Sequence, residues 1–483
     1  MSRLERVAAA IATLALLLVV ATDAVPLLRG PAPYPPEWQW LLRDEPPAPG
    51  SYAWPACCAA ALAGLLALSG RRWFVDNPRR GAVTVAAASI FVGTAFQLGL
   101  LGMEPQGALR TLLGRVVSRT DTAYYTVAVS EDARDPLAFL DRHAALLLDQ
   151  RKTAKHAATH PPGPVLYYRA WIAACEASPA LTRLALSALD LDPGDGPMRR
   201  APHTPASIAG ALLGGLAVLA LCAGACAPIA LLLWVLGRDP LDAARIASLW
   251  PLVPGAALMS PQIDQALAFP VAGTAALLAI AVTAASVRAR DVAAVGAGTL
   301  AFAASFLSYG AATFAAVGAL AVAAALGWRR CLPAIAVAAA AAGAWLGVTV
   351  VLGHEPLAAV RTALAFHRET YTAPRGYALW LAFNPIDLAL FLGAPVVAVG
   401  LLRLRRRLAD PLARFGAAWL ALVAALLVSG TVRGELGRIG VPLMALGLPA
   451  ALGDRTLGPE DAAAMAVLGG TVCLVMRAAW ILP

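Results

Sequence analysis

The residues best suited to chemistry lie in a polar stretch that is rich in histidine and proline. His156 and His160 are four residues apart, so a helix would place both imidazoles on one face, where they could bind a divalent metal ion or a phosphate. Pro161 and Pro162 follow and would end such a helix at His160. Lys155 adds positive charge that would attract an anionic lipid headgroup. Solvated loop histidines would give the same pattern, and both alternatives remain open.

A carboxylate precedes these histidines in the same stretch. Asp121 is followed by an aromatic pair, Tyr124 and Tyr125, which would hold it near a membrane interface. Because partial desolvation raises the basicity of a carboxylate, Asp121 could act as a general base. Asp121 or Thr120 could instead cap the helix that begins at Ala123. The two roles are compatible.

Further charged residues lie in short polar breaks between apolar runs. Asp264 follows a proline in one break, where it could contact a substrate or simply start a helix. Arg433, Glu435 and Arg438 share another break, where a guanidinium could bind a phosphate while the carboxylate orients it. An internal Arg–Glu bridge without a ligand is the alternative. Tyrosine and arginine side chains in the stretch 353–385 could add a sugar-binding surface.

The amino-acid composition indicates the class of protein in which these residues occur. The 483 residues are 59% hydrophobic and 14% charged, whereas soluble globular proteins carry about 25% charged residues. The net charge of +9 comes from arginines clustered between apolar runs, which is typical of membrane topology signals and excludes a nucleic-acid-binding surface. The seven cysteines show no metal-binding spacing and are interpreted as small buried side chains.

The apolar runs predict an all-α integral membrane protein. A helix that crosses the hydrocarbon layer needs about 20 apolar residues. On this basis we predict about thirteen transmembrane helices, near residues 7–28, 52–70, 81–103, 206–236, 244–260, 266–286, 292–309, 311–327, 332–352, 386–402, 412–430, 437–453 and 462–481.

Arginines predict the orientation of these helices in the plasma membrane. If the N-terminus is cytoplasmic, every second connection faces the cytoplasm, and all of those connections contain arginine, as the positive-inside rule requires. The polar candidates then share the extracytoplasmic face, which predicts one active site there. The arginine-containing connections are 71–80, 238–245, 288–290, 328–330, 403–414 and 454–455.

The chain divides into three predicted regions. Residues 1–103 form three transmembrane helices, and residues 104–205 form a large first extracytoplasmic loop. Residues 206–483 form a bundle of about ten helices with an outer loop at 353–385. Within the large loop, helical spacing with one apolar face over 106–119 and 135–152 predicts interfacial helices with the apolar side in lipid. An aromatic helix follows from Val165 to about Ala177 and is expected to be juxtamembrane.

Taken in order, these features resemble the GT-C superfamily of membrane glycosyltransferases, in the branch of the protein mannosyltransferases and aminoarabinose lipid A transferases. The resemblance rests on Asp121 with Tyr125 in a large first outer loop, on the His-Pro-Pro-Gly-Pro run from His160 to Pro164, and on Ser260-Pro261 with Asp264 at an outer hairpin. It covers residues 81–330 best, and the first two helices are an addition.

The resemblance implies an inverting glycosyltransferase. Such an enzyme moves a sugar from a polyprenyl-phosphate carrier in the membrane to a lipid, glycan or protein acceptor. It implies Asp121 as the catalytic base or metal partner. The chain departs from the family pattern at Thr122, where a second acidic residue is usual, and at His160, where lysine is common. Whether a divalent metal is a cofactor is therefore left open, with His156 and His160 as its candidate ligands.

The remaining candidates would bind the substrate and its phosphate. A multi-pass transporter or lipid flippase is the alternative function, and it would require ionisable residues at mid-membrane depth and an internal repeat. Few charges fall within the predicted spans, which favours the enzyme. The observation that would distinguish an enzyme from a transporter is whether Asp121, His160 and Arg433 meet in one lipid-facing cavity at the outer face. The candidate binding residues are His160, Lys155, Arg433, Glu435, Tyr125 and Asp264.

Overall fold

The computed structural model describes residues 1–34, 36–120, 122–190, 203–403, 408 and 410–482, without the side chain of Lys152. Asp121 lies outside the described residues. The N-terminal region contains α1 (Arg3–Thr22), α2 (Ala53–Leu68), α3 (Arg72–Val75) and α4 (Pro78–Leu101). The large loop contains α5 (Ala108–Val117), α6 (Tyr124–Ala128), α7 (Pro136–Thr153), α8 (Gly163–Ala177) and α9 (Pro179–Ala188).

The rest of the chain is a helical bundle. Its helices are α10 (Pro205–Gly224), α11 (Cys226–Val235), α12 (Pro240–Ala247), α13 (Pro254–Leu258), α14 (Ile263–Ala266), α15 (Ala268–Thr283), α16 (Val287–Leu307), α17 (Tyr309–Leu326), α18 (Trp328–Val351), α19 (Pro356–His367), α20 (Tyr377–Leu392), α21 (Ala394–Leu402), α22 (Pro411–Val428), α23 (Leu436–Ile439), α24 (Val441–Leu452) and α25 (Pro459–Ala479). Two short strands, β1 (Leu41–Leu42) and β2 (Trp480–Ile481), pair antiparallel. The described chain is almost entirely helical, and its long apolar helices are those of a multi-pass membrane protein.

The number of spanning helices is smaller than predicted. Among the described residues, ten helical stretches are long and apolar enough to cross a membrane, or eleven if α20 and α21 form one bent span. The predicted span 244–260 is wrong, because Pro251 and Pro254 divide it into α12, one turn of 3-10 helix and α13. The predicted span 386–402 is bent by 109° at Gly393, whose φ of +101° favours glycine. The predicted span 437–453 is the twelve-residue α24.

Contacts between connections define two ends of the bundle. At one, which we call the basic end, Arg403 contacts Glu5 at 3.0 Å and Asp454 at 3.2 Å. At the other, the loop end, Arg438 lies 3.9 Å from Asp264. Connections that the sequence assigns to one membrane face thus contact one another. Which end faces the cytoplasm stays a prediction.

The large loop packs on the bundle as a second apolar cluster. The apolar face of α5 is wrongly predicted to lie in lipid, because Leu112 and Val116 are buried in a cluster that includes residues of α10. The helix α8 also packs along α10. Its first residue, Gly163, approaches the end of α16 so closely that a Cβ would overlap the carbonyl oxygen of Phe306. This contact fixes the preceding His160 beside the bundle.

Candidate functional site

A cavity of about 1330 Å³ opens at the loop end and collects residues from the large loop, the bundle and the outer connections. The sequence separates these residues by up to three hundred positions, and the helical hairpins bring them together. The site is therefore a product of tertiary packing. The ionisable residues that line it are Tyr124, His156, His160, Asp264, Tyr309, His354, His367, Tyr371, Arg375, Arg433, Glu435 and Arg438.

The remainder of the cavity is apolar. It follows the antiparallel pair α17 and α18, with Tyr309 at the loop end and Trp328 at the opposite end. At about 1.5 Å per residue, the 18 residues of α17 extend about 27 Å, close to the hydrocarbon thickness of a bilayer. Its apolar lining includes Leu278, Phe302, Phe306, Leu320, Ile335, Leu346, Val350, Leu357 and Leu364.

An ion-pair network forms the charged part of the cavity. The Glu435 carboxylate accepts a hydrogen bond of 3.1 Å from Arg375 and lies 2.7 Å from Arg438. Burial alone would raise the pKa of Glu435, but the two guanidinium groups lower it below its ordinary value. Arg438 also lies 3.9 Å from Asp264. We call Asp264, Arg375, Arg433, Glu435 and Arg438 the arginine site.

Arg433 is held differently from the sequence-based expectation that Glu435 orients it. Its Nη1 donates to the carbonyl oxygens of Thr372 at 3.2 Å and Arg375 at 2.8 Å. Its guanidinium also lies over the ring of Tyr377, 5.5 Å from the centroid. Backbone carbonyls therefore position Arg433, while Glu435 pairs with Arg375 and Arg438. The internal Arg–Glu bridge that the sequence allowed is present, and it joins Glu435 to Arg438 and Arg375 rather than to Arg433.

The local chain around His160 fixes its tautomer. The ring Nδ1–H donates to the carbonyl oxygen of His156 at 2.8 Å, and Tyr124 packs edge-on with ring centroids 5.2 Å apart. Burial lowers the pKa of His160 to about 4. The neutral ring therefore keeps its lone pair on Nε2, which can accept a hydrogen bond but supplies no positive charge.

The sequence predicts His156 and His160 on one helix face, but in the structure they do not share one. The helix α7 ends at Thr153, and a 3-10 turn at Ala157–Thr159 separates the two histidines. His156 stacks on Tyr371 with centroids 5.7 Å apart, and burial lowers its pKa to about 3. The described residues contain no group of three or more histidine, cysteine or acidic side chains that could hold a metal ion.

Tyr125 and its neighbour Tyr124 have separate roles. Tyr125 is fully buried, where its hydroxyl donates to Ser207 at 3.0 Å and its ring stacks on His203. It therefore anchors α6 to α10, and the prediction that it contacts the substrate is not supported by its position. Tyr124 lines the cavity instead. Burial raises its pKa well above the ordinary value.

The other predicted site residues divide between the cavity and the surface. Arg433, Glu435, Asp264 and His160 all line the cavity. Lys155 is exposed and is not part of the lining. Sequence reasoning noted Arg375 in the outer loop and Arg438 as an arginine on the face where arginines are scarce, but it did not count them as site residues or predict that both hold Glu435.

No protein-family model matches the chain, and neither a curated protein nor a solved structure does. The GT-C resemblance therefore stays a prediction that rests on the residues given above.

Proposed function

We propose that the protein is a glycosyltransferase that takes a sugar from a polyprenyl-phosphate carrier and transfers it to an acceptor at the extracytoplasmic membrane face. One observation carries the proposal: a single cavity has charged groups at one end and an apolar remainder about as long as the hydrocarbon layer is thick. This division matches an amphipathic substrate with a phosphorylated head and a long apolar tail.

The arginine site suits the phosphate. Arg375, Arg433 and Arg438 outnumber the two carboxylates there, so a bound phosphate brings the local charge closer to balance. Guanidinium groups bind phosphate oxygens through two parallel hydrogen bonds, which adds direction to the attraction. In a low-dielectric cavity this attraction is stronger than in water. The same arginines would stabilise the phosphate as it leaves.

A carboxylate is needed to activate the acceptor. In the proposed step it takes the proton of an acceptor hydroxyl, whose oxygen forms a bond to the anomeric carbon. The bond between that carbon and the phosphate oxygen breaks, and the polyprenyl phosphate leaves with the electron pair. Asp121 is the base that the resemblance implies. Asp264 is a carboxylate within the described cavity, 3.9 Å from Arg438, and is suited to orienting that arginine.

Transport of a lipid is the competing function. A flippase that moves a charged headgroup would be expected to carry ionisable groups along the path through the membrane. The ionisable residues in the described cavity lining all lie at the loop end, and the deeper lining offers only apolar and hydroxyl side chains. This one-sided distribution favours chemistry at one face.

The test is sugar transfer by the purified protein from a radiolabelled polyprenyl-phosphate sugar. We expect Asp121→Asn to reduce the rate by at least about 100-fold, since general-base catalysis contributes about 10² to 10⁴. The matched control is Asp132→Asn, an exposed carboxylate of the same loop that pairs with Arg142 at 3.8 Å. Full activity of the Asp121 variant would rule out this residue as the base.

A further inference from the structure

Two neutral side chains of the cavity lining each carry a buried polar atom without a partner in the described chain. The hydroxyl of Tyr309 and the Nδ1 of His354 are buried, and neither makes a hydrogen bond within the part of the chain that the structure describes. Leaving a buried polar group unpaired costs about 1–3 kcal/mol, so such groups are uncommon in proteins. Both residues line the cavity. A ligand in the cavity could satisfy both groups.

His354 is neutral in the fold. Burial lowers its pKa below the ordinary value, so the ring carries no charge at pH 7. A neutral imidazole has one nitrogen that donates and one that accepts a hydrogen bond, so either tautomer can pair with a hydroxyl group.

The helix α7 places the two groups next to each other. The ring of His354 lies 5.5 Å from that of His143, and Tyr309 packs against a small cluster that contains Leu147. His143 and Leu147 are four residues apart on one face of α7, which corresponds to about 6 Å along its axis. The ring of His354 and the cluster that contacts Tyr309 thus both involve residues of one face of α7.

We infer that Tyr309 and His354 form a neutral subsite that binds the hydroxyl groups of a sugar. A sugar hydroxyl can both donate and accept, so it can pair with His354 Nδ1 in either tautomer, and another can accept from the Tyr309 hydroxyl. A phosphate has no hydrogen to donate at neutral pH, and a cation would favour the carboxylates of the arginine site. The inference rests on the proposed function in that it assigns the sugar and the phosphate to neighbouring parts of one cavity.

Binding of three probes to the detergent-solubilised full chain tests this assignment. The probes are a polyprenyl monophosphate, the same lipid carrying a hexose, and an alkyl hexoside without phosphate. We expect Tyr309→Phe to weaken binding of sugar-bearing probes about fivefold, which corresponds to one hydrogen bond of about 1 kcal/mol. Binding of the sugar-free phosphate should not change. The matched control is Tyr167→Phe, whose hydroxyl donates to Gly214 outside the cavity.

If the Tyr309 hydroxyl instead had a structural role, its removal would lower the stability of the unliganded protein. Because the Tyr309 hydroxyl has no partner in the described chain, Tyr309→Phe should leave the unliganded melting temperature unchanged or raise it. A lower melting temperature together with equal loss for all three probes would overturn the subsite.

The probes also separate two sources of the sugar. A Tyr309-dependent gain for the lipid-linked hexose assigns the subsite to the donor sugar, and a gain for the alkyl hexoside alone assigns it to the acceptor. If the polyprenyl phosphate does not bind but the hexoside binds in a Tyr309-dependent way, the proposed function fails and the subsite stands. If neither sugar-bearing probe depends on Tyr309, the inference is wrong.

Discussion

Both ends of the helical bundle bury an arginine between carboxylates, and the network at the loop end lines the cavity of about 1330 Å³. At the basic end, Arg403 donates to Glu5 at 3.0 Å, to Asp454 at 3.2 Å and to the carbonyl oxygen of Leu452 at 3.2 Å. At the loop end, Arg438 lies 2.7 Å from Glu435 and 3.9 Å from Asp264, and its Nε–H has no hydrogen-bond partner in the described chain.

The difference separates structural charge from charge that is available to a ligand. The contacts of Arg403 join α1 to the connections that follow α21 and α24, and none of these residues lines the cavity. The arginine site instead keeps unpaired donor capacity beside an apolar groove. Buried charge alone therefore does not identify a site, whereas buried charge that meets a cavity and unpaired polar atoms does.

The largest difference between the basic end and the loop end is expected when one carboxylate is removed at each. Glu435 and Glu5 are 7% and 4% exposed, and each pairs with buried arginines, so Glu435→Gln and Glu5→Gln should each destabilise the fold by about 3–5 kcal/mol. Only Glu435→Gln should also reduce sugar transfer per folded molecule, by about 100-fold or more. Thermal unfolding in detergent and the transfer assay, normalised to folded protein, measure the two effects. Equal loss of specific activity in both variants would remove the distinction between the ends.

The pH dependence of Glu435 has a defined sign. Because its folded pKa lies below the unfolded value, which is about 4.3, the carboxylate stabilises the fold fully above that value. The stabilisation is lost as the pH falls toward the folded pKa. Glu435→Gln should therefore lose less stability than the parent between pH 5 and pH 3.

A smaller contrast is expected from the histidines, all six of which lie in connections at the loop end. Burial lowers the pKa of His143 and His156 to about 3 and that of His160 to about 4. A histidine that is neutral in the fold stabilises it fully above the unfolded pKa of about 6.5, and this contribution is lost as the pH falls. Between pH 7 and pH 5 the loss is about 2 kcal/mol for each such histidine.

Hydrogen exchange measures where this acid lability lies. We expect amides of α7 and of the Ala157–Thr159 turn to exchange at least about tenfold faster at pH 5 than at pH 7 after correction for intrinsic rates. Amides near Glu5 and Arg403 should show no such change. Uniform acceleration across both ends would contradict the assignment.

The smallest effect is expected at Lys155. Its side chain is exposed and lies outside the cavity lining, and exposed charges contribute little because water and salt screen them. Lys155→Ala should change the affinity for polyprenyl phosphate by less than about twofold, whereas Arg433→Ala should weaken it clearly. Binding measured at two salt concentrations distinguishes local contact from general attraction, and a large effect of Lys155→Ala would extend the site beyond the cavity.

The fold was predictable where a helix is long and uninterrupted. Runs of about 20 apolar residues identify such spans by themselves, because the bilayer fixes their length. The count failed where prolines divide a run, as at Pro251 and Pro254, and where Gly393 allows a sharp bend. A mean hydropathy over about 20 residues does not detect a single proline or glycine. The broken segments therefore have the same mean hydropathy as continuous helices.

The site was predictable as a set of residues at one end but not as a set of contacts. Alternating membrane faces placed His160, Asp264 and Glu435 together, and all three line the cavity. The choice between Tyr124 and Tyr125 depends on the packing of Tyr125 against Ser207, which lies 82 positions away. The partners of Glu435 likewise depend on a distant connection that holds Arg375. Such pairings require the tertiary structure.

Photo-crosslinking with a polyprenyl phosphate that carries a diazirine in its tail tests the central claim most directly. If the cavity holds the lipid carrier, mass spectrometry should find the label on cavity-lining residues such as Phe302, Phe306 and Leu346, and unlabelled carrier should compete for it. Phe91 on α4 is 77% exposed and serves as the control for non-specific lipid contact. Labelling that is confined to such outward-facing residues and is not reduced by competitor would contradict a lipid-phosphate site in this cavity.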